Sequence, residues 1–106
     1  MANPRIKERS QRRLTLTVKD DTGAPMTPTT VHWRVDCETT QTQVLDWQTV
    51  AAVASQVIVI PASAFVIVNN ANSVETKVVT AQANYGTDSQ LNAEYRYDVT
   101  NNRFYT

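Results

Sequence analysis

The sequence predicts an all-β domain, built as an antiparallel two-sheet β-sandwich of six or seven strands. Val, Ile, Thr and Tyr dominate its composition over Leu, Glu and Lys, and this bias favours strands over helices. Several segments alternate apolar and polar residues with a period of two, and turn residues interrupt them about every ten residues. At 106 residues the chain has the size of one domain, which is enough for a single hydrophobic core.

The first two strands of the predicted body each have one apolar face. In residues 14–18, leucine or valine alternates with polar residues, and the turn at 20–23 follows. Residues 30–37 alternate in the same way, which places Trp33 on the inward face and His32 on the outward face. Both segments therefore predict half-buried strands.

The middle of the chain adds two strands and a covered loop. In residues 44–50, Leu45 and Trp47 are predicted to share the inward face. Residues 56–60 form a continuous apolar run, which predicts a strand shielded on both faces. The apolar residues 65–68 lie in a longer connection, where we expect either a short strand or a plug at one end of the core.

The last third predicts a long hairpin. Residues 75–85 place Val79, Ala81, Ala83 and Tyr85 on one face, and residues 91–99 alternate apolar with polar side chains after the turn at 86–90. Aromatic side chains in the two strands are spaced for cross-strand pairing. A short tail, 103–106, follows a turn at Asn101 and Asn102.

Half of the basic residues lie in the first thirteen positions. Residues 1–13 carry five basic residues and one acid, a charge of +4, whereas residues 14–106 carry −4. This segment contributes little apolar surface besides Ile6, so it is predicted to be a basic N-terminal docking arm (1–13) extending from a sandwich domain (14–106). The alternatives are a short helix beginning at Pro4 and a solvated terminus. The residues predicted to dock on a partner are Arg5, Ile6, Lys7, Arg9, Arg12 and Arg13.

No residue pattern indicates catalysis, so the chain is predicted not to be an enzyme and to bind no cofactor or metal. His32 is the single histidine, on an outward face without a converging ligand. Cys37 is predicted to be a small buried residue, because Asp36 and Glu38 flank it and a nucleophile needs an electropositive setting. Residues 20–23 contain only a fragment of a calcium loop, and a turn is the better interpretation.

Aromatic residues have two interpretations. They form either a stacking platform for sugars or bases or part of the core with cross-strand pairs, and the core is favoured because they alternate in phase with Val and Leu. Acidic residues on the same strands would repel a nucleic-acid backbone, so nucleic acid is an unexpected partner for the body. The aromatic residues concerned are Trp33, Trp47, Tyr85, Tyr95 and Tyr97.

Composition also suggests where the chain resides. One cysteine excludes an internal disulfide, and no apolar stretch approaches the roughly 18–20 residues that cross a bilayer. The basic amino terminus is not followed by an apolar segment, so no signal peptide is expected. The sequence therefore predicts synthesis in a cytoplasm and no membrane partner.

A tryptophan on an early strand and a Tyr-x-Tyr pattern on a late one resemble immunoglobulin-like and fibronectin type III-like domains over residues 14–100. The paired cysteines of antibody domains are absent, so the fibronectin-like branch fits better. A small closed barrel is the alternative architecture.

Five segments resemble small accessory virion proteins of tailed bacteriophages: TVHWRVD at 30–36, VLDW at 44–47, IPASAF at 60–65, ETKVV at 75–79 and AEYRYDV at 93–99. The resemblance implies a non-enzymatic structural protein of the virion, made in the host bacterial cytoplasm. It implies multiple symmetric copies, with portal, connector, tail or capsid subunits as partners.

Within the particle, the head–tail connector (neck) or tail region is favoured. The alternatives are a capsid decoration or cement protein, and an immunoglobulin-like module that binds a receptor or surface glycan through loops 38–43 and 69–73. Nucleic-acid binding through the basic arm is a third possibility, and it predicts strong salt dependence.

Overall fold

The computed structural model describes residues 3–19, 22–84 and 90–101. Within these ranges the chain is all β apart from one 3₁₀ turn, Ala62–Ala64. In chain order the strands are β1 (Arg5–Lys7), β2 (Arg12–Thr17), β3 (Thr30–Cys37), β4 (Thr42–Val50), β5 (Ser55–Ile60), β6 (Val74–Asn84) and β7 (Gln90–Thr100).

The strands form two sheets, so the predicted β-sandwich is confirmed and the described residues form no closed barrel. The larger sheet has the order β1-β7-β6-β3-β4, and β2 pairs with β5 in the smaller one. Every pair is antiparallel except β1 with β7, which run parallel. The first and last strands of the described chain are therefore neighbours at one edge of the larger sheet.

The core lies between the sheets and follows the predicted alternation in most strands. Residues at every second position of β3 are buried, and His32 is half-buried on the opposite face, as predicted. Phe65 is fully buried after the 3₁₀ turn and contacts Tyr97 edge-on, with ring centroids 5.5 Å apart. The predicted plug at 65–68 is therefore formed by Phe65.

The prediction for β5 was wrong on one face. Ile58 and Ile60 are buried, but Val57 and Val59 are 50% and 43% exposed. The smaller sheet has only two described strands and nothing in the described residues covers its outer face, so a continuous apolar run did not mean burial on both sides. Parts of the predicted hairpin turn and tail, including Tyr85, the turn residues 86–89 and residues 102–106, lie outside the described ranges.

Candidate interaction site

The basic N-terminal segment is built into the sandwich. Strand β1 pairs in parallel with the end of β7, and Ile6 lies opposite Val99 with 8% of its surface exposed. The Asp98 amide donates to the Pro4 carbonyl at 2.9 Å, and the Glu8 amide donates to Thr100 at 3.0 Å. These bonds make the segment the edge strand of the larger sheet.

The structure corrects the predicted boundary between an arm and a body. Residues 12 and 13 belong to β2, so a division after residue 13 cuts through a strand. A helix beginning at Pro4 is also excluded, because the next three residues are extended. The prediction failed because it treated the segment alone, whereas Ile6 gains burial and backbone hydrogen bonds from β7.

Four of the six predicted docking residues are exposed. Arg5 and Lys7 flank Ile6 on β1, Arg9 lies at the crossing between the sheets, and Arg13 is on β2. Arg9 has a φ of 61°, and its amide donates to the Phe65 carbonyl at 2.8 Å. We call these four residues the basic edge.

The other two predicted docking residues belong to the interior. Ile6 is part of the hydrophobic core and is removed from the docking set. Arg12 lies opposite the buried Ile60 and is half-buried, and its Nε has no hydrogen-bond partner among the described residues. Alternation in β2 explains the difference, because Arg12 and Arg13 point to opposite faces.

The outer face of the smaller sheet extends the basic edge with apolar surface. Arg13 lies opposite Val59 and Thr15 opposite Val57 in the antiparallel register. Because directly opposed residues share a face, the exposed valines adjoin the Arg13 side chain. This combination of cation and β-branched apolar surface suits contact with another protein.

A buried ion pair, which sequence reasoning missed, closes the end of the core. Glu75 and Lys77 are both completely buried, and Lys77 Nζ lies 3.0 Å from Glu75 Oε1. Glu75 also accepts hydrogen bonds from the amides of Val68 and Asn69, at 2.7 and 2.8 Å, and from Asn72 Nδ2 at 3.0 Å. The carboxylate therefore fixes the loop before β6.

The environment of Glu75 favours its ionised form. Burial alone raises the pKa of Glu75, but the hydrogen bonds from Asn69, Asn72, Val68 and Lys77 outweigh it and lower the pKa to about 2. Alternation was the available signal, since residues 75 and 77 have the same parity as the inward Val79. The charged pair has a structural role here, because the Glu75 carboxylate is fully buried and its donors hold the loop before β6.

A β-bulge turns Trp47 outward. Trp33 lies opposite Gln48 and Val35 opposite Leu45, so Asp46 and Trp47 together oppose Arg34. The extra residue reverses the alternation. The prediction that Leu45 and Trp47 share the inward face was therefore wrong: Leu45 packs on the core, whereas Trp47 is 37% exposed.

Trp47 forms a cluster with two outward residues of β3. Its ring meets that of His32 edge-on at a centroid distance of 4.5 Å, and the Arg34 guanidinium carbon lies 5.5 Å from its centroid. Arg34 is held by both oxygens of Asp36, at 3.0 and 2.6 Å, and by Gln43 Oε1 at 3.1 Å. The cluster thus combines the exposed indole ring with polar side chains.

An open groove of about 420 Å³ runs along this outer face. Polar residues dominate its lining. Three ion pairs border it: Arg34 with Asp36, Arg96 with Glu38, and Arg96 with Glu94. We call it the outer groove. Its principal lining residues are Arg34, Asp36, Gln43, Val78, Thr80 and Glu94.

The remaining aromatic and ionisable candidates have structural positions. Trp33 and Tyr97 are buried and Tyr95 packs against the core, so the core interpretation holds for these three. His32 contacts Gln82 Oε1 at 2.6 Å, and the buried Cys37 donates to Glu75 Oε1 at 3.6 Å. No group of three metal-ligating side chains converges within the described ranges.

No family model, curated protein or solved structure matches the chain. Within residues 3–19, 22–84 and 90–101, no helix has the length and apolar character needed to cross a membrane. The two surfaces described above, the basic edge and the outer groove, are the candidates for function.

Proposed function

We propose that the protein is a non-enzymatic structural component of a tailed-phage particle, docking on neighbouring virion subunits in the neck or tail region. The observation that carries the proposal is the basic edge, where Arg5, Lys7, Arg9 and Arg13 are exposed along the crossing between the two sheets. Two strands and the crossing between them hold the backbone of these residues in the fold, so binding costs less conformational freedom than the binding of a free arm would.

The strand order supports an immunoglobulin-like domain for this role. The order β7-β6-β3-β4 corresponds to strands G, F, C and C′ of variable-type immunoglobulin domains, and β2 with β5 corresponds to B and E. Trp33, buried on β3, corresponds to the tryptophan of strand C. Ala81 lies directly opposite Trp33, and no disulfide is present because Cys37 is the single cysteine.

An acidic protein surface is the partner that best complements the basic edge. Repeated copies on a symmetric particle need only modest affinity each, because several contacts act together. Charge of this kind steers association and sets specificity. A portal, connector or tail subunit with an acidic rim would provide such a surface. If the protein is instead a capsid decoration protein, the acidic surface would belong to a capsid subunit.

A receptor or glycan module acting through loops is the second candidate. Loop 69–73 is well anchored, because Glu75 accepts from Asn69 and Asn72 while the Asn101 side chain donates to the carbonyls of Asn70 and Asn72. Rigid loops of this kind suit recognition.

Charge reversal at single positions tests the proposal without unfolding the domain. Deletion of residues 1–13 is unsuitable, since it removes β1 and the start of β2. We expect Arg5→Glu and Arg13→Glu each to lower the number of copies in purified particles several-fold, whereas Lys19→Glu, an exposed cation after β2, leaves it unchanged. Thermal melting of each purified variant verifies that it is folded.

Normal incorporation of both variants would rule out the basic edge as the anchor. Loss of incorporation with Lys19→Glu as well would indicate a dependence on net charge alone, and would also contradict a defined docking edge.

A further inference from the structure

The outer face of the larger sheet carries a second, differently built surface. The bulge in β4 places Trp47 on this face, and bulges commonly re-aim side chains near functional sites. Trp47 keeps 37% of its surface exposed while Arg34 and His32 hold its ring. The exposed indole adjoins the outer groove, because Arg34 contacts the ring and also lines the groove.

Several polar groups along the outer groove have spare hydrogen-bonding capacity. Arg34 uses Nε and Nη2 on Asp36 and Gln43, which leaves its Nη1 without a partner among the described residues. The Gln43 amide nitrogen and the Thr80 hydroxyl likewise make no hydrogen bond within those residues. Asp36 and Glu94 each retain acceptor lone pairs. The groove therefore offers both hydrogen-bond donors and acceptors to a ligand.

The charge of the groove selects against ionic ligands. Both guanidinium groups are already paired, Arg34 with Asp36 and Arg96 with Glu38 and Glu94. The surrounding carboxylates outnumber the guanidinium groups, which disfavours an anion, and the paired acids offer a cation little net attraction. A neutral ligand rich in hydroxyl groups is neither repelled as an anion would be nor dependent on net attraction as a cation would be.

We propose that the outer groove, with Trp47 at its border, is a binding site for a neutral oligosaccharide. Adjacent sugar hydroxyls pair with the planar groups of Arg34, Asp36 and Gln43, and the C–H face of a pyranose ring packs on the indole, whose π face is electron-rich. The groove volume, about 420 Å³, lies within the range of about 300–1,000 Å³ typical of ligand sites. The site is on a sheet face, away from loop 69–73, and does not depend on particle docking.

The two tryptophans allow a direct test. Trp33 is 4% exposed and Trp47 is 37% exposed, so acrylamide quenching of fluorescence reports mainly on Trp47. The full chain is titrated with neutral oligomers of glucose, mannose, galactose and N-acetylglucosamine. We expect at least one oligomer to protect Trp47 from acrylamide with saturable dependence on sugar concentration.

Variants then locate the site. Calorimetry measures the binding of each variant. Trp47→Ala is expected to weaken binding about tenfold or more, and Trp47→Phe to retain most of it. Gln43→Ala is expected to weaken binding with no change in thermal stability, since its side chain is exposed. Val57→Ala, on the exposed face of the smaller sheet, is the matched control and leaves binding unchanged.

Three results would overturn the proposal. One is the absence of protection by every neutral oligomer at millimolar concentration. Another is binding that persists in Trp47→Ala or disappears in Arg13→Glu, which would place the sugar elsewhere. The third is protection that rises with protein concentration alone, because the face would then be a contact between copies of the chain.

Discussion

At the residue scale, Glu75 is a side chain with several hydrogen-bond donors around it. It is fully buried and ties the loop before β6 to the core through two amides, one side-chain amide and the Lys77 ammonium. Buried ion pairs add little net stability as a pair, but removal of one partner leaves the other charge without compensation. Glu75 also accepts hydrogen bonds from the loop before β6, so more contacts depend on Glu75 than on Lys77.

This difference predicts unequal effects of two neutralising substitutions. Glu75→Gln leaves the Lys77 ammonium buried without a carboxylate and should lower the free energy of unfolding by about 3–5 kcal/mol. Lys77→Met leaves Glu75 with its loop donors and should cost clearly less. Urea denaturation measures both, and equal losses would contradict the proposed anchoring of the loop.

The control is an exposed acid in an ion pair. Glu94 lies 3.2 Å from Arg96 and its side chain is 54% exposed. Glu94→Gln should therefore change the free energy of unfolding by less than about 1 kcal/mol.

Glu75 also predicts a dependence of stability on pH. Its pKa is about 2 in the folded protein against 4.5 as the ordinary value, so the folded state binds fewer protons between these values. The stabilisation is present above the ordinary pKa and is lost as pH falls from about 5 towards about 2. The difference in unfolding free energy between wild type and Glu75→Gln should shrink over this interval. A difference independent of pH would contradict the assigned ionisation.

Alternation in the sequence was sufficient to place Glu75 and Lys77 inward, but it does not indicate what they bind. Lys77 pairs with Glu75, and the other partners of Glu75 include Val68 and Asn69 from loop 65–73, which follows the buried Phe65. Such long-range contacts have no local pattern. The plug at 65–68 could be predicted because its apolar residues are consecutive in the sequence. The buried ion pair was missed because its partners are not.

At the element scale, the first strand decides how the basic residues are displayed. Three residues of β1 suffice to attach the N-terminal segment, because Ile6 enters the core while its neighbours remain outside. An edge position against the end of β7 satisfies the backbone groups of the crossing.

Substitutions at two adjacent positions test this arrangement. Ile6→Ala should lower the free energy of unfolding by about 2–3 kcal/mol, as expected for a buried large-to-small change. Arg5→Ala, next to it on the exposed side, should change it by about 0.5 kcal/mol or less. If the two variants unfold alike in urea, β1 is not part of the cooperative unit.

Strand β4 is where prediction from the alternation of apolar and polar residues failed. The period of two was correct for β3, β6 and the described side chains of β7, which pair with regular register. In β4 the register shifts twice, and the shift between Trp33 and Val35 moved Trp47 from the predicted core to the surface. A bulge depends on the pairing with the partner strand, so the sequence pattern of residues 44–50 alone does not predict it.

At the scale of the whole molecule, the strand order separates the basic edge from the carboxylates of the outer groove, because β1 and β4 are opposite edges of the larger sheet. The basic edge lies where β1 crosses to β2, and carboxylates border the outer groove. The fold class followed from composition and periodicity, but this separation required the strand order, because the amino-terminal segment and β7 are neighbours only in space.

The proposed docking on a particle through the basic edge should respond to ionic strength. Charge steering at an interface rim is screened over about 8 Å at physiological salt. We expect the association rate of the wild-type chain with chain-free particles to fall as salt rises, and Arg13→Glu to show a shallower dependence than Lys19→Glu. Surface plasmon resonance over a salt series measures both slopes, and identical slopes would contradict electrostatic docking.

The parallel pairing of β1 with β7 has a consequence for biosynthesis. Strand β1 is translated well before its partner, residues 98–100 of β7. Ile6 consequently stays uncovered until β7 has been synthesised, and non-local pairing of this kind slows folding. A polypeptide that ends before residue 98 could not form this pairing, so Ile6 would stay exposed in it.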